Sequence, residues 1–172
     1  IASRQEIPAK EFKINVPKYV MVPRNAYLRH AELERRMLRL QAYAEKNPLN
    51  AVELNDRKIG FITAGPSYVY AREMYPDASF LKLGFSFPFP VNLARSFAAK
   101  VKQLYVIEEI EPFMEEQLQM AGIKCRARHP SFRIGELRPE YIPQIVKGKE
   151  KKEEPVTARK PTWDWVAGFP RH

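Results

Sequence analysis

The chain has 172 residues, of which 45% are apolar and 28% are charged, so it is long enough for one domain with a hydrophobic core. Its net charge is +9, but the basic residues are interleaved with Glu and form no nucleic-acid motif. No run of about 20 apolar residues could span a bilayer, and no signal peptide is visible. These features argue against a nucleic-acid role and against a membrane span. Together with the single cysteine, they favour a cytoplasmic protein in a reducing compartment. The start at Ile1 suggests a processed or excised piece of a longer polypeptide.

The single cysteine, Cys125, excludes an internal disulfide framework and a cysteine-rich metal or iron–sulfur site within this chain. It lies in the stretch 122–127, which we predict to be a strand, so a buried thiol is favoured. Basic neighbours, Lys124 and Arg126, leave a second interpretation open, a reactive thiol with a lowered pKa.

The first 57 residues predict an arm, a helix and a linker. Prolines punctuate an extended arm over residues 1–24, in which residues 18–22 favour a short strand or a segment that lies across a partner. We predict a long helix over 25–46, with Asn25 as N-cap and apolar residues at three- and four-residue steps. Its basic face is either a docking surface or a solvated face with Glu–Arg pairs. The polar stretch 48–57 is predicted to be a linker.

Residues 58–146 predict an α/β core. Short apolar runs alternate with helical patterns, which is typical of βαβ units. We therefore expect a three-layer fold, with a mostly parallel sheet covered by helices on both faces. The predicted strands are 58–65, 79–85, 103–107 and 122–127. One predicted helix begins at Pro66, and three others cover 92–101, 112–121 and 140–146.

The turn after the first core strand is a candidate binding site. Ligands of open α/β sheets bind at the carboxyl edge, where helix N-termini offer N–H groups to anions. This places Thr63, Gly65 and Ser67 as candidate cofactor-binding residues. A phosphate-binding loop normally contains more glycine, so a purely structural turn is the favoured interpretation.

Aromatic residues cluster in two other places. One cluster follows the second core strand in a loop punctuated by proline, and it either completes the core or forms a partner-binding face. The other lies in the stretch 147–172, a charged linker and a tail that we expect to pack against another domain or subunit. The predicted interface residues are Phe85, Phe87, Phe89, Trp163, Trp165 and Phe169.

Catalytic residues are not evident. The three histidines, His30, His129 and His172, lie far apart and lack metal-ligand spacing. Glu108 and Glu109 point to opposite faces of a predicted strand, so they do not form an acid/base pair. We predict no catalytic residue and no metal ligand, which indicates a support or binding domain.

Five stretches occur in the order and spacing of one known family: KYVMVP at 18–23, GFITAG at 60–65, DASFLKLGF at 77–85, LYVIEEIEPF at 104–113 and GEL at 135–137. In these motifs the chain resembles the α subunit of indolepyruvate:ferredoxin oxidoreductase, of the 2-oxoacid:ferredoxin oxidoreductase superfamily. The resemblance implies a transketolase C-terminal-like domain that braces the two neighbouring thiamine-binding domains and a subunit interface.

The family also implies the chemistry of the parent enzyme. That enzyme decarboxylates an arylpyruvate on thiamine pyrophosphate with Mg²⁺, passes electrons through 4Fe-4S clusters to ferredoxin, and forms acyl-CoA and CO2. The resemblance implies a γ/β-type partner subunit and ferredoxin as partners, with no cofactor bound by this chain.

One departure from the family concerns the tail. Val166 and Phe169 stand where the family has the cysteines of a Cys-x-Gly-Cys-Pro-His motif, so we expect the isolated chain to be inactive. A non-catalytic interaction module on the same fold is the alternative. A nucleotide- or CoA-binding domain at residues 63–67 is a third.

Overall fold

A computed structural model describes residues 8–151, and it begins with two helices, α1 (Val16–Tyr19) and α2 (Pro23–Ala44). The strand expected over residues 18–22 is wrong, because Lys18 and Tyr19 end α1 and residues 20–22 join no strand. Asn15 caps α1 by accepting from the backbone N–H of Lys18 at 3.1 Å. Helix α2 begins two residues earlier than predicted, with Pro23 in its first turn, where the missing N–H is harmless. The predicted N-cap, Asn25, lies inside α2 and donates to the Val20 carbonyl at 2.9 Å.

A four-stranded mixed sheet forms the centre of the molecule. Its spatial order is β1-β3-β2-β4; β2 runs parallel to β3 and to β4, and β1 runs antiparallel to β3. The expectation of a mostly parallel sheet is therefore confirmed. The strands are β1 (Ala51–Glu53), β2 (Asp56–Ala64), β3 (Ala78–Leu83) and β4 (Gln103–Ile107).

Helices cover both faces of the sheet, as expected. Two 3-10 turns, Pro130–Arg133 and Pro139–Tyr141, precede the last helix. The helices after α2 are α3 (Pro66–Met74), α4 (Val91–Ala98), α5 (Phe113–Met120) and α6 (Ile142–Val146).

The core consists of two apolar layers that the sheet separates. Neighbouring residues of a strand point to opposite faces, so Phe61 lies in the layer with α3 and α6, and Ile62 lies in the layer with α4 and α5. Both side chains are fully buried. Each such burial stabilises the fold by about 1.5–3 kcal/mol, so the α/β part supplies its own stability.

Two local predictions need correction. The stretch 48–57, expected to be a linker, contains β1 and the start of β2. The strand expected over 122–127 is reduced to one parallel bridge between Tyr105 and Arg126, with the Arg126 N–H donating to the Leu104 carbonyl at 2.8 Å. Short edge pairings of this kind depend on neighbouring strands more than on local sequence pattern.

Candidate functional site at the carboxyl edge of the sheet

The carboxyl ends of β2, β3 and β4 meet at one edge of the sheet, since these three strands are parallel. Helices α3, α4 and α5 begin there. Unpaired N–H groups at helix N-termini attract anions, which makes this edge the place to look for a ligand site.

At the β2–α3 turn, Gly65 has φ 55° and ψ −137°, a backbone conformation that favours glycine. The two candidate hydroxyls beside it lie below the surface: Thr63 is fully buried and Ser67 is 2% exposed. Thr63 Oγ1 is buried without a hydrogen-bond partner among the described residues. The turn therefore presents backbone rather than side chains to solvent, which suits a structural turn.

At the N-terminus of α4, the chain supplies its own anion. The carboxylate of Glu45, just beyond the end of α2, accepts from the N–H groups of Asn92 at 3.0 Å and Leu93 at 2.8 Å. The N-cap residue Pro90 has no side chain able to do this. Helix α2 is thereby joined to α4 through a charged hydrogen-bonded cap.

The N-terminus of α5 is occupied in the same way. The Glu108 carboxylate accepts from the N–H groups of Met114 at 2.7 Å and Glu115 at 3.1 Å. Glu108 is 7% exposed; burial raises its pKa, and the two N–H donors and the Arg128 guanidinium oppose that rise. Two of the three helix N-termini at this edge therefore hold carboxylates of the chain itself.

A buried arginine holds the β4–α5 connection. Arg128, 3% exposed, donates to the carbonyls of Glu108 and, at 2.7 Å, Ile110. Ile110 has φ 58°, a strained conformation for a β-branched residue. The hydrogen bonds from Arg128 stabilise this loop and leave the Ile110 side chain exposed.

The aromatic loop is divided between the core and the surface. Phe89 is buried in the core and Phe85 packs edge-on against Tyr43, with ring centroids 5.7 Å apart. Phe87 points outward, 63% exposed, and lies 6.2 Å from the ring of Phe113. The other predicted interface residues, Trp163, Trp165 and Phe169, lie outside the described residues.

The environment of Cys125 contradicts the reactive interpretation. Burial, followed by the carboxylates of Glu115 and Glu108, raises its pKa to about 11. The basic neighbours in sequence do not set the electrostatics of the thiol, because residues from other elements surround it. Cys125 is a half-buried thiol, protonated at neutral pH.

The described histidines form no cluster. His30 lies exposed on α2, 3.5 Å from Glu34, and His129 lies 3.2 Å from Glu150. Within residues 8–151, no group of three or more His, Cys, Asp or Glu side chains is placed to hold a metal ion. Of the helices that the structure describes, none has the length and apolar character needed to cross a membrane.

The residues before α2 carry a run of exposed apolar side chains. Their side chains are exposed although they are large and apolar, which is the usual mark of an interaction site. We call this segment, Phe12 to Val22, the apolar arm; its exposed members are Phe12, Ile14, Val16, Tyr19, Val20, Met21 and Val22.

Sequence reasoning missed the side chains that hold the backbone at this edge. Glu45 and Arg128 carry no local motif, and each acts on backbone groups many residues away. Glu108 was noted only as a carboxylate at a strand end. The acidic start of α5 was the one available signal, since helix N-termini favour carboxylates.

The architecture resembles one part of a longer chain of known structure. A solved structure of 2-oxoglutarate:ferredoxin oxidoreductase from Magnetococcus marinus, with 2-oxoglutarate, coenzyme A and succinyl-CoA bound, matches 74% of this chain and 23% of that chain. The TM-score is 0.52 and the identity is 22%, so the match defines the α/β fold. No protein-family model matches the chain.

Curated relatives define the family. The indolepyruvate oxidoreductase subunit IorA of Methanothermobacter thermautotrophicus is 32% identical over 130 residues, or 71% of this chain. That of Thermococcus kodakarensis is 31% identical over 141 residues, or 78%. Each match covers 21% of the relative, so the chain spans about one fifth of their length. The chain belongs to the family of these subunits, as its motifs indicated.

Proposed function

We propose that this chain is the structural and interface domain of a thiamine-pyrophosphate-dependent 2-oxoacid:ferredoxin oxidoreductase that acts on an arylpyruvate of the indolepyruvate type. In this proposal the assembled enzyme forms acyl-CoA and CO2 and reduces ferredoxin. The chain braces the neighbouring thiamine-binding domains and a partner subunit, and its net charge of +9 steers the acidic electron carrier to the enzyme.

The apolar arm is the observation that carries this proposal. Ile14 is 83% exposed and Phe12 is 78% exposed, an arrangement that costs free energy unless another surface covers the side chains. The relatives are almost five times longer than the matched segment, and the rest of such a subunit is the occupant that we assign to the arm.

The carboxyl edge supports a bracing role over a cofactor-binding one. Glu45 and Glu108 fill two helix N-termini, and the hydroxyls of Thr63 and Ser67 are buried. The described residues do not fit a metal or iron–sulfur group, and the chain has one cysteine. We therefore assign the cofactor chemistry to other parts of the enzyme and route no step through these residues.

Purification from the natural source tests the proposal. We expect the chain to be recovered within, or together with, a larger assembly that shows iron–sulfur absorbance and reduces ferredoxin when indolepyruvate and CoA are added. Recovery as a free 172-residue chain with unrelated partners would contradict it and favour the alternative, a non-catalytic interaction module.

A pair of variants in the recombinant enzyme tests the arm itself. Met21→Asp lies in the apolar arm, and Val69→Asp lies on the outer side of α3; the two wild-type side chains are 53% and 57% exposed. We expect Met21→Asp to lower the melting temperature and activity of the assembled enzyme and Val69→Asp to change neither, since a buried charge is costly. Equal effects of the two variants would show that the arm is not part of the interface.

A further inference from the structure

Helix α2 carries two apolar stripes, and the apolar side chains of the second are exposed. The first faces the core near the end of the helix, where Ala44 is buried and Leu40 is half-buried. The second lies on another side of the helix, where Tyr27 is 81% exposed and Leu38 is 72% exposed. A helix with two apolar sides has one more packing surface than its own domain covers.

The second stripe runs the length of α2. At 3.6 residues per turn, seven residues of α2 and its C-cap Glu45 lie within about 100° of one another around the helix axis. All are exposed except Glu45, which is half-buried. We call these residues the outer stripe; they are Arg24, Tyr27, Ala31, Glu34, Arg35, Leu38, Ala42 and Glu45.

The outer stripe is complementary to itself when it is reversed, and we infer that it pairs antiparallel with the outer stripe of a second copy of this chain. The two-fold axis passes between Glu34 and Arg35. Residues on one helix then face residues on the other in four pairs: Tyr27 with Ala42, Leu38 with Ala31, Glu34 with Arg35, and Arg24 with Glu45.

Size and charge both favour this register. Each large side chain faces an alanine, which lets two helices approach closely, and each acid faces an arginine. A shift by one helical turn would place Tyr27 against Leu38 and Ala31 against Glu34, so both kinds of complementarity are lost. A two-fold axis uses the same patch on both copies, so every favourable pair occurs twice.

The charged side chains of the stripe have weak or compatible contacts within their own chain. Within one chain, Glu34 pairs with His30 at 3.5 Å and Arg35 pairs with Glu32 at 3.1 Å. Both contacts are exposed and contribute little, so exchanging them costs little. Glu45 is already held in place by α4, and Arg24 of a second copy meets a carboxylate in a defined position.

This inference goes beyond the proposed function, because the outer stripe shares no residue with the apolar arm. One helix pair of this length buries less surface than a permanent dimer requires. We therefore expect a reversible dimer whose population rises with protein concentration.

Sedimentation velocity on the full chain over a range of concentrations tests the pairing. Leu38→Glu should weaken the dimer by at least about tenfold, since each dimer receives the charge twice and tenfold corresponds to about 1.4 kcal/mol. The matched control is Met120→Glu on α5, because both wild-type side chains are 72% exposed. The control should leave dimerisation unchanged, and circular dichroism should show unchanged helix content in both variants.

A charge exchange tests the register. Glu34→Arg alone places two arginines opposite each other at both sites and should weaken the dimer; adding Arg35→Glu reverses each pair and should restore it. A monomeric wild-type chain at every concentration, a dimer insensitive to Leu38→Glu, or no rescue by the double exchange would each overturn the inference. None of these results affects the proposed function, which the Met21→Asp test addresses separately.

Discussion

The α/β core and the apolar arm use large apolar side chains in opposite ways. Phe61 and Phe80 in the core are fully buried, whereas Phe12 and Ile14 in the arm are mostly exposed. Because burial is what makes such side chains stabilising, the core is stable through its own contacts and the arm contributes only when another surface covers it. The core therefore provides stability and the arm provides a surface for assembly. Substitutions in the core should change the free energy of unfolding, and substitutions in the arm should not.

The largest effect should come from the core. We expect Phe61→Ala to lower the free energy of unfolding by about 3–5 kcal/mol, the usual cost of removing a buried ring. The ring lies between Tyr75, Phe80 and Tyr105, with centroids 5.4–5.8 Å away. Urea denaturation followed by circular dichroism measures the change. A loss below 1 kcal/mol would show that this layer is not the source of stability.

An intermediate effect should come from the joint between α2 and the core. Glu45→Ala removes both acceptors at the N-terminus of α4, so we expect a loss of about 0.5–2 kcal/mol, as for other helix caps. Hydrogen exchange at Asn92 and Leu93 should become faster. Glu73→Ala, an exposed carboxylate on α3, is the control and should leave both amides unchanged. Unchanged hydrogen exchange of these two amides in Glu45→Ala would show that Glu45 does not join α2 to α4.

A smaller, pH-dependent effect should come from Glu108. Burial raises its pKa above the ordinary value of 4.5 in the folded chain, so this carboxyl favours folding while protonated and loses that contribution as the pH rises through its folded pKa. We compare the free energy of unfolding of the wild type with that of Glu108→Gln. The difference, wild type minus variant, should therefore decrease as the pH is raised from below 4.5 to neutral. Paired urea titrations measure it, and a difference that grows with pH would contradict the raised pKa.

The smallest effect should come from the arm. Ile14→Ser should change the free energy of unfolding of the isolated chain by no more than about 0.5 kcal/mol, because this side chain is 83% exposed. The same urea titration measures it. A loss comparable to that of Phe61→Ala would mean that the arm packs against the core in solution, and the separation between stability and assembly would fail.

Much of the fold was predictable from sequence pattern. The apolar runs that became β2, β3 and β4 predicted the parallel sheet, because a short continuous apolar run marks a strand buried on both faces. The helices between them followed from the same periodicity. Strand β1 was missed, since three residues carry too little pattern and its place depends on antiparallel pairing with β3.

The candidate site was less predictable than the fold. The turn at residues 63–67 was located correctly, but the burial of its hydroxyls depends on what packs around it. A buried Cys125 was the favoured prediction, and the alternative, a pKa lowered by its basic sequence neighbours, is wrong because burial and then Glu115 and Glu108 raise that pKa. Electrostatics act through space, so sequence neighbours are a poor guide to a partly buried group.

The sequence by itself determined the order of elements, the two faces of the sheet and the family, because periodicity and motifs are properties of the chain alone. Only the tertiary structure decided that Glu45 and Glu108 fill helix N-termini and that Arg128 holds a strained loop. It also decided that α2 presents a second stripe to solvent. Those outcomes depend on which backbone groups and surfaces are still without partners once the elements have packed. That can be known only from the folded molecule.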